Sequence, residues 1–157
     1  MTDIFQNRIL LISIFSCFLA QFLKIFTGKE KKFDFKRIII SGGMPSSHSS
    51  FVTCLSMLVG FDRGFASTEF AMTAVFAIIV MYDASGVRRA VGKQAELLNQ
   101  IVDDFFHGKF DQHEKLKELV GHTPKEVLLG ALLGIFIGII KRSDIINYCY
   151  NEMNKKK

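Results

Sequence analysis

Cysteine, proline and low-complexity sequence are all scarce in this 157-residue chain. The three cysteines, Cys17, Cys54 and Cys149, are odd in number and lie among apolar neighbours. Such scattered cysteines favour buried free thiols over a disulfide framework or a metal cluster. The two prolines, Pro45 and Pro124, both lie close to the start of an apolar run. No long internal repeat is present, and the length favours a single domain.

The chain also lacks a cleavage site of small residues after its first apolar run, which extends from Ile9 to Phe26 behind Arg8. That run is close to the roughly 20 residues that cross a bilayer, and it is long for a signal peptide. Hydrophobic residues make up 49% of the chain and the mean hydropathy is +0.26, which favours a membrane protein. We therefore expect a retained first transmembrane helix.

Three shorter apolar runs follow, at Ser49 to Phe61, Phe70 to Tyr82 and Val127 to Ile140. Each alone is ambiguous with a buried soluble helix, but together with the first run they predict four spans. The segment Ser85 to Phe106 places apolar residues at helical spacing and predicts an amphipathic helix along the interface. The expected fold is an all-α polytopic membrane bundle of about four transmembrane helices plus this helix, over residues 1–145, with a basic tail at 146–157.

The net charge of +5 comes from basic residues in the loops between the apolar runs. They do not form one soluble face interleaved with aromatics, which favours anionic membrane lipid over nucleic acid as the partner. Four spans place Thr27 to Met44 and Asp83 to Lys125 on one side, with most of the basic residues. The positive-inside tendency makes that side cytoplasmic, in a multi-pass protein of the cell membrane. A soluble helical protein with a basic surface, and a homo-oligomer, both stay open.

The most informative stretch is a glycine-rich loop, Ser41 to Ser49, that leads into the second apolar run and contains Gly42, Gly43, Ser46, Ser47 and His48. A loop of this kind before a helix start leaves backbone N–H groups unpaired, and the helix dipole there favours an anion. Imidazole titrates near neutral pH, so His48 is a candidate general acid for a leaving oxygen. The alternative is a histidine that only caps or packs at the helix start.

A second histidine, His122, precedes the last apolar run in the same way. Glu126, one helical turn on, can orient this imidazole and raise its basicity, as a histidine nucleophile requires. Thr123 as N-cap, Pro124 at the first helical position and Glu126 also fit a capping box, which would make Glu126 structural. Both interpretations can hold at once. Further along this helix, Gly130, Gly134 and Gly138 share one face, the pattern of close helix packing in lipid.

Basic residues near these helix starts are candidate phosphate ligands. Lys24 lies near the end of the first span, where an ionisable residue is either functional or extends to the headgroups. Arg88 and Arg89 offer planar donors suited to phosphate, with lipid contact or solvation as the alternative. We interpret Asp83 as a structural hydrogen-bonding partner of an arginine. Four spans put all of these groups on the cytoplasmic side with both histidines.

The sequence Pro45-Ser46-Ser47-His48 resembles the Pro-Ser-Gly-His motif of the type-2 phosphatidic acid phosphatases. The segment His122 to Gly130 is similar to their motif of histidine, three residues and aspartate, with its Gly-rich helix. The Gly-Gly-Met-Pro-Ser-Ser-His-Ser stretch and the Asp-Ala-x-Gly-Val-Arg-Arg segment, here Asp83 to Arg89, resemble the divergent branch of that superfamily most. The resemblance covers most of the chain, from about Gln21 to Gly138.

The resemblance implies an all-helical fold and an integral membrane phosphatase that hydrolyses a lipid phosphate or isoprenyl diphosphate, with no cofactor and no metal. It implies that His122 attacks phosphorus, that Glu126 orients it and that His48 protonates the leaving group. Phosphate oxygens would be held by basic groups and by the start of the second helix, namely Lys24, Arg88 or Arg89, Ser46 and Ser47.

Three departures from the family pattern favour a second interpretation. Ser47 replaces the motif glycine, and Glu126 replaces the aspartate. The usual motif of lysine, six residues, arginine and proline is absent, because Arg37 precedes Ile38. The alternative is therefore a catalytically inactive, anion-binding membrane scaffold of the same fold.

Overall fold

A computed structural model describes residues 6–27, 43–106, 116 and 121–147, and contains helices but no strand within those ranges. The all-helical fold class is thus confirmed. Five helices occur in the order α1 Arg8–Leu23, α2 Ser47–Arg63, α3 Thr68–Ser85, α4 Val87–Phe106 and α5 Pro124–Ile140. Gly42, Cys149 and residues 148–157 of the expected tail lie outside the described residues.

Polar side chains begin four of the helices, since each accepts a hydrogen bond from a backbone N–H that the first turn leaves unpaired. These N-caps are Asn7, Ser46, Ser67 and Thr123. At α5 the capping box is complete, with Pro124 in the first turn as the sequence predicts. The helix starts therefore follow directly from local sequence.

Helix α2 lies at the centre of the bundle and packs against α1, α3 and α5. Helices α1 and α3 run antiparallel to it, whereas α5 runs parallel: Gly130 lies against Ser46, Gly134 against Ser50, and Gly138 against Met57. The ends of α1 and α3 and the starts of α2 and α5 consequently share one end of the bundle. We call this the histidine end.

The bundle turns its large apolar side chains outward and its small ones inward. More than half of the surface of Phe18, Ile78 and Phe136 is exposed, whereas Ser13, Ser16 and Ala20 are fully buried. A soluble protein buries such aromatics and aliphatics, so this arrangement is that of helices surrounded by lipid. A small core of Cys54, Leu58, Ile137 and Ile145 lies towards the opposite end.

Close packing of small residues joins the helices. A Cβ atom at Gly130 or Gly134 would collide with the backbone of α2, so the glycine face of α5 allows the two backbones to meet. Hydroxyls link the helices further: Ser16 and Ser50 lie 2.6 Å apart, oxygen to oxygen, and Thr53 donates to the Ala131 carbonyl over 3.1 Å. These bonds satisfy polar groups that would otherwise be buried unpaired.

Of the described residues, Thr68–Phe105 form one helical stretch long and apolar enough to cross a membrane, and Arg8–Leu23 form a shorter apolar helix. This stretch includes α3 and α4, which meet at a turn at Gly86. Cys17 and Cys54 are both free thiols, and Cys54 is buried as expected, whereas Cys17 is only partly buried. The count of four spans stays a prediction.

Candidate functional site

A backbone contact joins the two histidine-bearing helix starts. The N–H of Ser46 donates to the carbonyl of Glu126 over 3.0 Å, and Gly130 lies against the backbone of Ser46. Because Ser46 precedes His48 by two residues and Glu126 follows His122 by one turn, the contact brings both histidines to the same end of the bundle. The two sequence motifs therefore meet in space.

His122 is held from three directions. Its backbone N–H donates to the Ala84 carbonyl at the end of α3 over 3.1 Å. Its ring Nδ1 lies 3.2 Å from Glu126 Oε2, and the same oxygen accepts the Thr123 N–H over 2.9 Å. Glu126 thus both orients the imidazole and completes the capping box. With Nδ1 bonded to a carboxylate, Nε2 is the nitrogen left to act as nucleophile.

Burial lowers the pKa of His122 below its ordinary value of 6.5, because the charged ring is poorly solvated there. The hydrogen bond to Glu126 opposes this effect, while the charges of Lys24 and Arg88 lower the pKa further. The imidazole is therefore neutral at physiological pH, the state in which it can attack phosphorus.

Lys24 follows the last residue of α1 and is only 4% exposed. In the part of the chain that the structure describes, no carboxylate lies within ion-pairing distance of its ammonium. The aliphatic part of the side chain passes Gly43, which has a φ of +84° that side chains with a Cβ rarely adopt. The Glu126 carboxylate is near enough for its charge to act on Lys24 without forming an ion pair. A buried cation that has no ion pair among the described residues is costly, which favours an anion-binding role over extension to the headgroups.

The start of α2 offers two backbone donors. Ser49 N–H bonds the Ser46 hydroxyl over 3.4 Å, and Ser50 N–H bonds the Ser46 carbonyl over 3.1 Å. The N–H groups of Ser47 and His48 are then the ones without an acceptor inside the helix. Since the Ser46 N–H is already used, a contact from Ser46 to phosphate would have to come from its hydroxyl.

The structure distinguishes the two arginines. Arg88 Nε donates to Asp83 Oδ2 over 2.6 Å, the structural pairing that the sequence predicts for Asp83. Arg88 also lies within electrostatic range of both His48 and His122. Arg89 contributes its backbone instead, against Gly121. Arg88 is accordingly the stronger candidate for phosphate.

His48 lies exposed in the first turn of α2. Partial burial of the ring, and then the nearby positive charges of Arg88, His122 and Lys24, lower the pKa of His48 below its ordinary value of 6.5. An exposed imidazole beside a buried one is suited to exchanging protons with water and a leaving group.

Two neighbours of the site were missed from the sequence. Cys17 lies close to both Lys24 and Ser47. Its position seven residues before Lys24, two turns along one helix face, is a signal that was available. The Ala84 carbonyl that fixes His122 carries no sequence signal at all.

Two cavities lined by described residues lie away from the histidines. The larger, of about 470 Å³, is at the opposite end and is lined by Gln6, Asn7, Arg8, Ile9, Asp62, Arg63 and Ile145. A second cavity adjoins it along α1 and α2. Neither contains a residue that the sequence singles out for chemistry.

An all-helical fold with a lipid-type exterior and a polar, histidine-bearing end defines a class, the helical membrane proteins. The chain belongs to the divergent PAP2 family, whose model matches residues 5–137. This confirms the resemblance seen in the motifs. The chain is 38% identical over 151 residues to YuiD, an uncharacterized membrane protein of Bacillus subtilis strain 168, covering 88% of this chain and 96% of YuiD. No solved structure matches the chain significantly. The protein is thus a membrane protein.

Proposed function

We propose that this chain is an integral membrane phosphatase that hydrolyses a lipid phosphate or an isoprenyl diphosphate through a phosphohistidine at His122. The observation that carries the proposal is the backbone bond from Ser46 to Glu126, since it sets both histidine motifs side by side. Membership of the divergent PAP2 family supports the same reaction class.

The proposed architecture is a bundle over residues 1–145 in which α1, α2, α3 and α5 cross the membrane. Alternating helix directions put the histidine end on a single side, and the excess of basic residues assigns that side to the cytoplasm. Helix α4 then lies along the interface.

The geometry suits a two-step reaction. His122 Nε2 attacks phosphorus and the bond to the leaving oxygen breaks, while His48 gives its proton to that oxygen. Water then attacks the phosphohistidine, His48 takes a proton from the water, and inorganic phosphate leaves with His122 neutral again. Charge on the transferred phosphoryl oxygens is balanced by Lys24, Arg88 and the N–H groups at the start of α2.

One assay tests the proposal directly. The full chain in lipid nanodiscs is supplied with phosphatidic acid or isoprenyl diphosphate, and released phosphate is measured for the wild type and for His122→Ala. Hydrolysis by the wild type that His122→Ala abolishes supports the proposal. Activity that survives the substitution removes His122 from its role.

A second candidate is an inactive, anion-binding scaffold. The observation that favours it is the sharing of Glu126 Oε2 between His122 and the Thr123 N–H, since an engaged carboxylate supports the imidazole less fully. Vanadate binding without any hydrolysis would establish the scaffold, and turnover would exclude it.

A further inference from the structure

Helix α4 has two distinct long faces. One exposes Val87, Val91, Leu98, Ile101 and Phe105, which recur at helical spacing. The neighbouring face buries Ala95 and Asn99 against the protein. The exposed apolar face continues the outward apolar surface of α3, where Ile79 and Tyr82 are also exposed.

The buried face of α4 holds the chain that leads to His122. Asn99 forms two hydrogen bonds with the backbone of Leu116: its Nδ2 donates to the carbonyl and its Oδ1 accepts the N–H, each over 2.9 Å. Gly121 lies so close to the backbone of Arg88 and Arg89 that a Cβ atom would collide there. These two anchor points are about 15 Å apart along α4, at about 1.5 Å of rise per residue.

The third anchor is the bond from the His122 N–H to the Ala84 carbonyl, three residues before α4 begins. In addition to the first turn of α5, the end of α3 and helix α4 therefore position His122. Helix α4 in turn packs mainly on α3, with its apolar face uncovered by the described residues. Within the described part of the chain, the contacts of α4 with the protein are therefore made by its buried face, and its apolar face is available to a surface outside the bundle.

We propose that the lipid bilayer supports α4. The apolar face of α4 lies on the membrane surface, and this contact keeps His122 in position through the hydrogen bonds of Asn99. The basic residues Arg88, Arg89 and Lys93 occupy the half of α4 nearest the histidines, and the acidic Glu96, Asp103 and Asp104 lie farther along. Basic side chains on an amphipathic helix interact favourably with headgroup phosphates. Asn99 is a positioning residue, and this inference rests on the proposed function only for its effect on turnover.

Hydrogen exchange in nanodiscs tests the coupling without any need for turnover. The paired substitution Leu98→Gln and Ile101→Gln weakens the apolar face, and Glu96→Gln on the polar face is the control. We expect the paired substitution to speed exchange of the amides at 121–126 roughly tenfold, together with those of α4. Faster exchange in α4 with 121–126 unchanged overturns the proposal, as does no change in α4.

Asn99→Ala isolates the positioning step, with Gln100→Ala as its exposed neighbour and control. We expect Asn99→Ala alone to speed exchange at 121–126 while α4 keeps its wild-type rates. Unchanged exchange at 121–126 contradicts the role of Asn99.

Kinetics add a readout that mere destabilisation would not give. Asn99→Ala should lower kcat with KM within about twofold of the wild type, because Lys24 and the start of α2 still bind phosphate. A raised KM at unchanged kcat contradicts positioning of the nucleophile. If the wild type shows no hydrolysis, the proposed function fails, while the exchange experiment still decides the coupling.

Discussion

The carbonyl of Glu126 accepts the backbone N–H of Ser46 over 3.0 Å. Glu126 thus contacts both motifs, because its side chain also lies 3.2 Å from His122 Nδ1. The bond connects the first turns of two parallel helices, α2 and α5. The bond therefore fixes the start of α2, which contains His48, against the first turn of α5, which follows His122.

Lys24→Met should separate ligand binding from stability. Loss of a charged donor is expected to weaken vanadate or phosphate binding by roughly 10- to 100-fold, from about 1.5–3 kcal/mol for a charged hydrogen bond. Removing a buried cation for which the described residues offer no ion pair should leave the melting temperature unchanged or raise it. Calorimetric titration and thermal unfolding measure the two. The control is Lys141→Met, because the Lys141 ammonium pairs with Asp144 after the end of α5, away from the histidine end.

Arg88 and Arg89 form a matched pair for mutation. Arg88→Ala should weaken phosphate binding about tenfold, since its charge acts on both histidines. Arg89→Ala should leave binding within about twofold, because its contact with Gly121 is made by the backbone. Equal losses in a titration with vanadate would contradict this assignment.

The loss of stability caused by alanine at each glycine of α5 should depend on the atoms that the new Cβ would contact. Gly130→Ala and Gly134→Ala force a Cβ into the backbone of α2 and should destabilise by about 1–3 kcal/mol. Gly138→Ala meets the Cβ of Met57 at 2.7 Å, a looser approach than those at Gly130 and Gly134, and should cost less. Thermal unfolding in one detergent compares the three variants. The packing argument fails if Gly138→Ala is the most damaging.

The pH profile should follow the pKa of His122. Attack requires the neutral ring, and burial lowers the pKa of His122, so the acid limb of kcat/KM should lie below pH 6.5. Lys24→Met removes a cation that lowers this pKa and should move the acid limb up. Glu126→Gln removes the interaction that raises it and should move the limb down. An NMR titration of the His122 ring checks both directions, and shifts of the opposite sign would exclude this electrostatic environment.

Local sequence predicted most of the helices and one part of the site. The capping box at Thr123 and Glu126 depends on residues three apart, and the α5 glycines share a face by helical period alone, so both are readable without a structure. The choice between Arg88 and Arg89 was not readable, because it depends on the turn at Gly86 that sets the rotation of α4. Two further contacts are long-range, and no residue spacing indicates them. They are the hydrogen bond from the Ser46 N–H to the Glu126 carbonyl and the hydrogen bonds between Asn99 and the Leu116 backbone.

Trapping the covalent intermediate tests the central claim most directly. The wild-type chain in nanodiscs is mixed with a radiolabelled phosphomonoester lipid, quenched in alkaline detergent to preserve phosphohistidine, and digested for mass spectrometry. The account predicts label on the peptide that contains His122, and none in His122→Ala. Label on another residue, or hydrolysis that proceeds with no labelled His122 under conditions that preserve phosphohistidine, would contradict it.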